Sequence, residues 1–398
     1  MSGKRVLVVG GGAVGLATAM RILERDPRAR LTLVEKEAAV GQHQTGNNSG
    51  VLHCGLPYRP GSRKAKLAVR GIRQMVEFCR SHAIPHDICG NLVVATREEQ
   101  IPRLRELFDR GTQNGLRGLE MLDPPRMREI EPHVAGVAGL RVPEEGIVDY
   151  PAMCVALRGE IEARGGKVIT NAGLTGLRRD GQGWQAETRA GEFAADVLVT
   201  CAGLQADRVA KLAGVRTEVQ IVPFRGDYYK LRPEREFLVR NLIYPVADPK
   251  FPFLGLHFTR MIRGGIEAGP NAVLALKREG YSKIAFNWRD AAEALAFPGL
   301  WRFVGAHLRM CVAELRRGFS PALFCRALQQ LVPEIQERDL APGGSGVRAQ
   351  AMRRDGQLVE DFEIVVHERA VHVLNAPSPA ATASLAIGEE VAALALAQ

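Results

Sequence analysis

A short apolar strand, the glycines Gly10-x-Gly12-x-x-Gly15, an apolar-faced helix and a second strand ending in an acid leave this chain few folds. Lys4 to Val9 reads as a buried parallel strand. The glycines open a helix carried by Ala17, Met20 and Leu23, and Leu31 to Val34 reads as the next strand. Each part has a physical task. Gly10 permits the tight turn, Gly12 removes a Cβ that would meet a pyrophosphate, and Gly15 lets helix and sheet pack closely. Ala13 and Val14 sit at the helix N-terminus, where backbone N–H groups favour phosphate charge. Glu35, twenty residues beyond Gly15 and followed by Lys36, is placed to accept hydrogen bonds from an adenosine ribose. The unit predicts an ADP-containing dinucleotide without separating NAD from FAD.

A second segment, Gly41 to Gly55, is dense in small and polar residues, and it includes Gln44, Thr45, Asn48, Ser49, Gly50, Val51 and His53. Such a loop lays several N–H groups and hydroxyls along a cofactor. Asp196 to Gly203 reads as a further buried strand ending in a glycine turn at Ala202-Gly203, followed by a helix from Ala206 to Leu212. Val371 to Leu374 is another strand. Asn375 to Ser384, with Ser378, Ala380, Ala381 and Thr382, leads into a helix running to about Leu394, whose N-terminus suits a negatively polarised group. Sequence of different texture lies between, so the fold predicted is α/β: a discontinuous Rossmann-like cofactor domain (1–85, 145–216 and 341–398) with an inserted α+β substrate domain (86–144 and 217–340).

The remaining features bound the function classes. At 398 residues and 46% hydrophobic content the chain buries a sizeable core. Its net charge of +9 is compatible with nucleic acid, an anionic surface or an acidic substrate, but the arginines are scattered and form no nucleic-acid module. Seven cysteines without a CxxC pair suit free thiols in a reducing cytoplasm, and no histidine pair has zinc-site spacing, so no metal is expected. The N-terminus enters a strand and does not read as an export signal. No apolar run is long enough for a transmembrane helix.

Narrower motifs follow: His43-Gln-Thr-Gly46, Asn48 to His53, Gly146 to Tyr150, Phe224-Arg-Gly-Asp-Tyr-Tyr-Lys230, Phe251 to Thr259, Gly269 to Ala275, Gly346 to Gln350 and Ala376 to Thr382. In these, and over essentially its whole length, the chain resembles the L-2-hydroxyglutarate dehydrogenases and oxidases of the D-amino-acid-oxidase-like FAD superfamily. It departs at Asn47, where a basic or imidazole side chain is expected, and at Asp227, where Glu is expected. The resemblance implies a Rossmann-like FAD-binding domain, tightly bound FAD, oxidation of L-2-hydroxyglutarate to 2-oxoglutarate, and electron delivery to a membrane quinone or oxygen.

That reaction needs a hydride acceptor, a base for the hydroxyl proton and cations that fix carboxylates. His53 and His257 are both candidates for the base. Arg225, Lys277 and Arg348 are the candidate clamps, and Tyr228, Tyr229 and Tyr244 are further hydrogen-bonding groups that core packing explains equally well. From Phe297 to Phe324, aromatics alternate with Arg302, Arg309, Arg316 and Arg317. The stretch reads as a core-facing helix pair with solvated arginines, with a peripheral membrane contact as the alternative. Two further readings are an amino-acid oxidase on the same fold and a non-catalytic dinucleotide-binding or RNA-associated protein.

Overall fold

A computed structural model describes residues 3–248 and 254–398. Arg5–Val9 pairs in parallel with Val197–Thr200 on one side and with Arg30–Val34 on the other. The full sheet runs Glu363–His367, Ala370–Asn375, Val197–Thr200, Arg5–Val9, Arg30–Val34, Lys167–Ile169, parallel except for its first strand. Its strands are apolar on both faces because both are covered. Val6 and Val8 pack with Leu16, Ile387 and Val391, from the helices Ala13–Arg25 and Ser384–Leu396. Leu7, Val9 and Leu198 point the other way, toward Trp184 and Ala186 of a three-stranded antiparallel sheet (Leu174–Asp180, Gly183–Thr188, Gly191–Ala195). The two helices approach so closely that a Cβ on Gly388 would lie 2.8 Å from the Ala17 carbonyl carbon.

The second layer is a nine-stranded sheet. Asn91–Ala95 from the first inserted segment pairs in parallel with Leu242–Pro245 from the second. Its longest pair is Val219–Leu231 against Leu340–Arg353, in register from Val219↔Arg353 to Leu231↔Leu340 with a bulge near Asp227. This ribbon joins the two units: Val219, Ile221 and Ala351 sit in the core beneath the cofactor sheet, while Leu231 and Leu340 sit in the core of the other. The boundary expected at residue 341 falls at the start of this ribbon strand, Leu340–Arg353, which pairs within the larger sheet and packs on both cores. Gly343, Gly344 and Gly346 hide the strand in the sequence because glycine lacks strand character. Gly346 is needed there: a Cβ would lie 2.4 Å from the Asn47 carbonyl oxygen.

A small sheet (Val51–Leu52, Gly146–Val148, His86–Asp87) sits where the units meet. Residues 298–328 form three short helices, Pro298–Ala306, Leu308–Phe319 and Pro321–Leu328. The expected helix pair is thus three helices that face the core only in part. Phe303 and Phe324 are buried, whereas Trp301, Leu308, Leu315 and Phe319 are exposed. The seven cysteines are free.

Candidate functional site

A cavity of about 1350 Å³ lies between the cofactor sheet and the larger sheet. It exceeds the usual size of a small-ligand pocket, about 300–1,000 Å³, and so has room for a dinucleotide together with a small substrate. Gly10, Gly12, Ala13, Val14, Gly15, Glu35, Lys36, Gln44, Thr45, Asn48, Ser49, Val51, Ala202, Gly203, Ser378, Ala380, Ala381 and Thr382 all line it. Gly50 does not; at φ +68° it turns the loop beneath them.

The glycines divide by task. Gly10 has φ +108°, and a Cβ there would lie 2.3 Å from the Cys201 carbonyl oxygen, while one on Gly15 would lie 2.0 Å from that of Gly10. Both answer to the protein's own packing. On Gly12 a Cβ would meet only Thr45 Oγ1, at 3.4 Å, and otherwise open space, so this position is kept bare toward the cavity. Gly12 also caps the helix without a side chain, and Ala13 N–H donates to Thr45 Oγ1 at 3.1 Å. This cradle fits the pyrophosphate of FAD.

Glu35 is held by its neighbours: Oε2 accepts from Gly11 N–H (2.6 Å) and Oε1 from Glu37 N–H (2.9 Å). Lys36 Nζ reaches Glu37 and Glu279 at 2.7 Å each and His43 Nε2 at 2.8 Å. Among the described residues Glu37, His43 and Glu279 form the one group close enough to hold a metal ion, but the Lys36 ammonium already supplies its positive charge. The Lys36 and His43 hydrogen bonds pull the Glu37 carboxyl down to about 2. Asn48 staples the loop, its Nδ2 donating to the Gln44 and Thr45 carbonyls and its Oδ1 accepting from Gly50 N–H. Asn47 donates to the Gln42 and His43 carbonyls, a turn-closing task that needs no cation.

At the other end of the cavity stand His53, Tyr228, Tyr244, His257 and Arg348. Tyr244 packs on His257 with ring centroids 4.1 Å apart and lies 6.3 Å from His53. Its hydroxyl is buried, with the Thr259 side chain as its hydrogen-bonding neighbour. His257 Nδ1 bonds to the Gly255 carbonyl (3.0 Å), which fixes the proton on Nδ1 and leaves Nε2 an acceptor. Burial drives the ring down to about 4, so it stays neutral at pH 7. Arg348 is set by its pairing with Phe224 and donates from Nη1 to the Asn271 carbonyl (3.3 Å); burial lowers its guanidinium from the ordinary value. Phe251 to Phe253 of the motif preceding His257 lie outside the described residues.

Two of the expected clamps lie outside the cavity lining. Arg225 is buried outside the cavity lining, with Nε and Nη2 on the two Asp227 oxygens (2.7 and 3.2 Å) and Nη1 on the Ser282 carbonyl, so its charge is neutralised internally. Asp227 has the length that this in-strand pair requires. Lys277 is exposed and also outside the lining, and its neighbour Arg278 is the buried one, paired with Asp207. Tyr229 packs on Phe324, away from the cavity lining.

Lys64, Asn91 and Glu145 were missed. Lys64 lines the cavity beside Tyr58, and burial lowers it to about 8. Glu145 is 3% exposed; its Oε2 accepts from Asn91 Nδ2 (2.7 Å), and its Oε1 accepts from Cys54 N–H (3.3 Å) and lies 3.6 Å from His53 Nδ1. In the sequence Glu144-Glu145 resembles a solvated turn, and only the Gly146–Val148 strand beside it gives a signal.

The model of the family described as FAD dependent oxidoreductase matches residues 5–394. An L-2-hydroxyglutarate dehydrogenase from Indibacter alkaliphilus is 48% identical over 393 residues, covering 98% of each chain. One from Escherichia coli K12 is 43% identical, covering 97% of this chain and 91% of its own. The mitochondrial enzyme of that name from Nematostella vectensis is 42% identical over 97% of this chain and 89% of its own. Among solved structures, L-α-glycerophosphate oxidase from Mycoplasma pneumoniae with FAD bound aligns at TM-score 0.80 and 22% identity, covering 100% of this chain and 95% of the other. Glycine oxidase from Geobacillus kaustophilus aligns at TM-score 0.74 and 18% identity, covering 99% and 95%. These two show a shared fold.

Proposed function

The chain belongs to the FAD dependent oxidoreductase family, and from that premise we propose that it oxidises L-2-hydroxyglutarate to 2-oxoglutarate. One observation carries the reading: a dinucleotide cradle opens into a chamber lined by the half-buried Arg348 guanidinium, two imidazoles and the buried Tyr244 phenol. FAD, when bound, supplies the acceptor for the C2 hydrogen and its electron pair. Arg348 binds a substrate carboxylate, a planar fork suited to two parallel hydrogen bonds. His257, neutral with Nδ1–H on Gly255, offers Nε2 as a hydrogen-bond acceptor, and Tyr244 Oη donates to the substrate. Strands of the larger sheet supply Tyr244, His257 and Arg348 to the cavity wall at this end.

The electron acceptor in this reading is a membrane quinone or oxygen. An exposed apolar face supports a peripheral membrane contact: Leu308, Val312, Leu315 and Phe319 recur along one side of the helix Leu308–Phe319, with exposed Trp301 and Trp288 and with Arg302, Arg309 and Arg316 in solvent. Among the described residues no helix is long and apolar enough to cross a membrane. Sedimentation with anionic vesicles, lost on Phe319→Glu with Leu315→Glu, checks the contact.

The enzymatic reading is tested anaerobically by mixing the FAD-loaded protein with L-2-hydroxyglutarate, its D-enantiomer, lactate or glycine and following visible flavin absorbance. Bleaching by the L-diacid alone is expected. Bleaching by glycine in its place would move the activity to amino-acid oxidation on the same fold.

A further inference from the structure

We propose that Glu145 is a positioning residue that orients His53 and balances its charge as the general base of the reaction, an inference that rests on the function proposed above. It starts from strand register. Val51 faces Ile147 and Leu52 faces Gly146, so one further step of the same antiparallel ladder sets His53 opposite Glu145. Gly90 N–H donates to the Glu145 carbonyl (2.9 Å), fixing the backbone of that corner, and His53 N–H donates to Thr382 Oγ1 (3.2 Å), fixing the other. The carboxylate and imidazole are thus delivered to each other by two backbones that do not depend on the side chains.

The carboxylate is costly where it lies. Taking a charge into the interior costs several kcal/mol unless hydrogen bonds compensate it. Burial alone would push the Glu145 carboxyl up; His53, Asn91 and the Cys54 N–H outweigh it and hold the group below the ordinary carboxylate range. A buried anion is therefore maintained behind an imidazole that lines the cavity. His53 presents Nδ1 to Glu145, which leaves Nε2 on the opposite edge of the ring. The separation of 3.6 Å is slightly longer than a hydrogen bond, and such contacts tighten when substrate is bound.

His257 does not compete for the role. Among the described residues no carboxylate is hydrogen-bonded to it, and Glu145 acts on it only from a distance and more weakly than burial; its Nδ1 is spent on a neutral carbonyl, and burial disfavours the charged ring. In the proposed step the substrate O–H bond breaks, its proton passes to His53 Nε2, and the oxygen's electron pair forms the C2 carbonyl; FAD, when bound, would supply the acceptor for the C2 hydrogen and its electron pair. The imidazolium so formed is stabilised by Glu145, which keeps its negative charge throughout, as the carboxylate does in a catalytic triad.

The test compares Glu145→Gln, His53→Asn and the double variant as FAD-loaded enzymes, by anaerobic flavin reduction with L-2-hydroxyglutarate. Glu145→Gln is expected to slow reduction about 100-fold, within the range general-base catalysis supplies, with KM moved less than about threefold. Glu145→Asp, which keeps the charge, recovers much of the rate. In the His53→Asn background, Glu145→Gln has no further effect. A full additional loss there, or a Glu145→Gln enzyme as fast as wild type, overturns the proposal. A wild-type enzyme inert to the L-diacid would instead refute the function it rests on. If the Gln variant loses FAD, the wild-type protein decides: 15N-histidine NMR, with His53 assigned by its loss in His53→Asn, is expected to show the Nδ1–H tautomer, and the Nε2–H tautomer overturns the proposal.

Discussion

Lowering the pH is predicted to destabilise this fold through two imidazoles that cannot be charged in place, and His372 is the one that isolates the effect. It lies on Ala370–Asn375, fully buried in the cofactor sheet, with Nδ1 2.9 Å from Thr200 Oγ1 and Nε2 without a partner among the described residues. Burial drives it down to about 4, as it does His257. Above pH 6.5 the ring is neutral in both the folded and unfolded chain, and stability is unaffected. Between pH 6.5 and 4 the unfolded chain takes up a proton that the native state refuses, so stability falls as pH falls. At about 1.36 kcal/mol per pH unit, each ring accounts for about 3 kcal/mol by pH 4.

His372→Asn keeps a polar atom near Nδ1 for Thr200 and removes the titration. Its smaller side chain costs about 1–2 kcal/mol at neutral pH. Urea midpoints at saturating FAD, from pH 7.5 to 4.5, should show the wild type ahead at neutral pH, the gap closing below pH 6.5, and a crossing near about pH 5.5. Other acid-sensitive groups are common to both proteins and cancel in the comparison. Parallel stability curves for the two would refute the assignment of a buried neutral ring.

Arg348→Met should lower kcat/KM for the diacid by about 30- to 150-fold, the worth of a charge-assisted hydrogen-bond pair, with FAD content unchanged. Arg225→Met should cost about 3–5 kcal/mol in urea unfolding because it strands the buried Asp227, while turnover per bound FAD stays within about threefold. Gly12→Ala should leave the FAD-free protein as stable as wild type within about 0.5 kcal/mol yet weaken FAD binding at least tenfold by fluorescence titration. Gly10→Ala should destabilise the FAD-free protein itself, because its Cβ would meet Cys201 backbone.

The cofactor cradle was legible because its information is local: strand, glycine turn, helix and acid lie within thirty-five residues, and Gly15 answers to Gly10 within the same turn. The loop from Gln44 to Val51 and the residues from Ser378 to Thr382 were legible for the same reason. The clamps were harder. Arg225 and Asp227 sit two apart on one strand and therefore share a face, so their mutual neutralisation was readable, whereas the choice between Lys277 and Arg278 depends on a local turn that composition does not encode. Glu145 and His53 are 92 residues apart and meet only through the register of a two-residue strand. Leu340–Arg353 escaped because Gly343, Gly344 and Gly346 are costly to any strand pattern, although Gly346 is needed for the close passage of the Asn47 loop and Gly343 for that of the Tyr228 backbone.

The position of Ala370–Asn375 and Thr382 in the cofactor sheet has a consequence for biosynthesis. The dinucleotide cradle leaves the ribosome more than 300 residues ahead of the strand beside Val197–Thr200 and of the threonine that ties Val51 and His53 to the far wall. At about 5–20 residues per second the intervening chain takes roughly 20–70 s to make, and for that interval the nascent protein carries half a binding cleft with its apolar wall open. The cleft is complete only once Ala370–Asn375 and Thr382 have joined the residues made long before them.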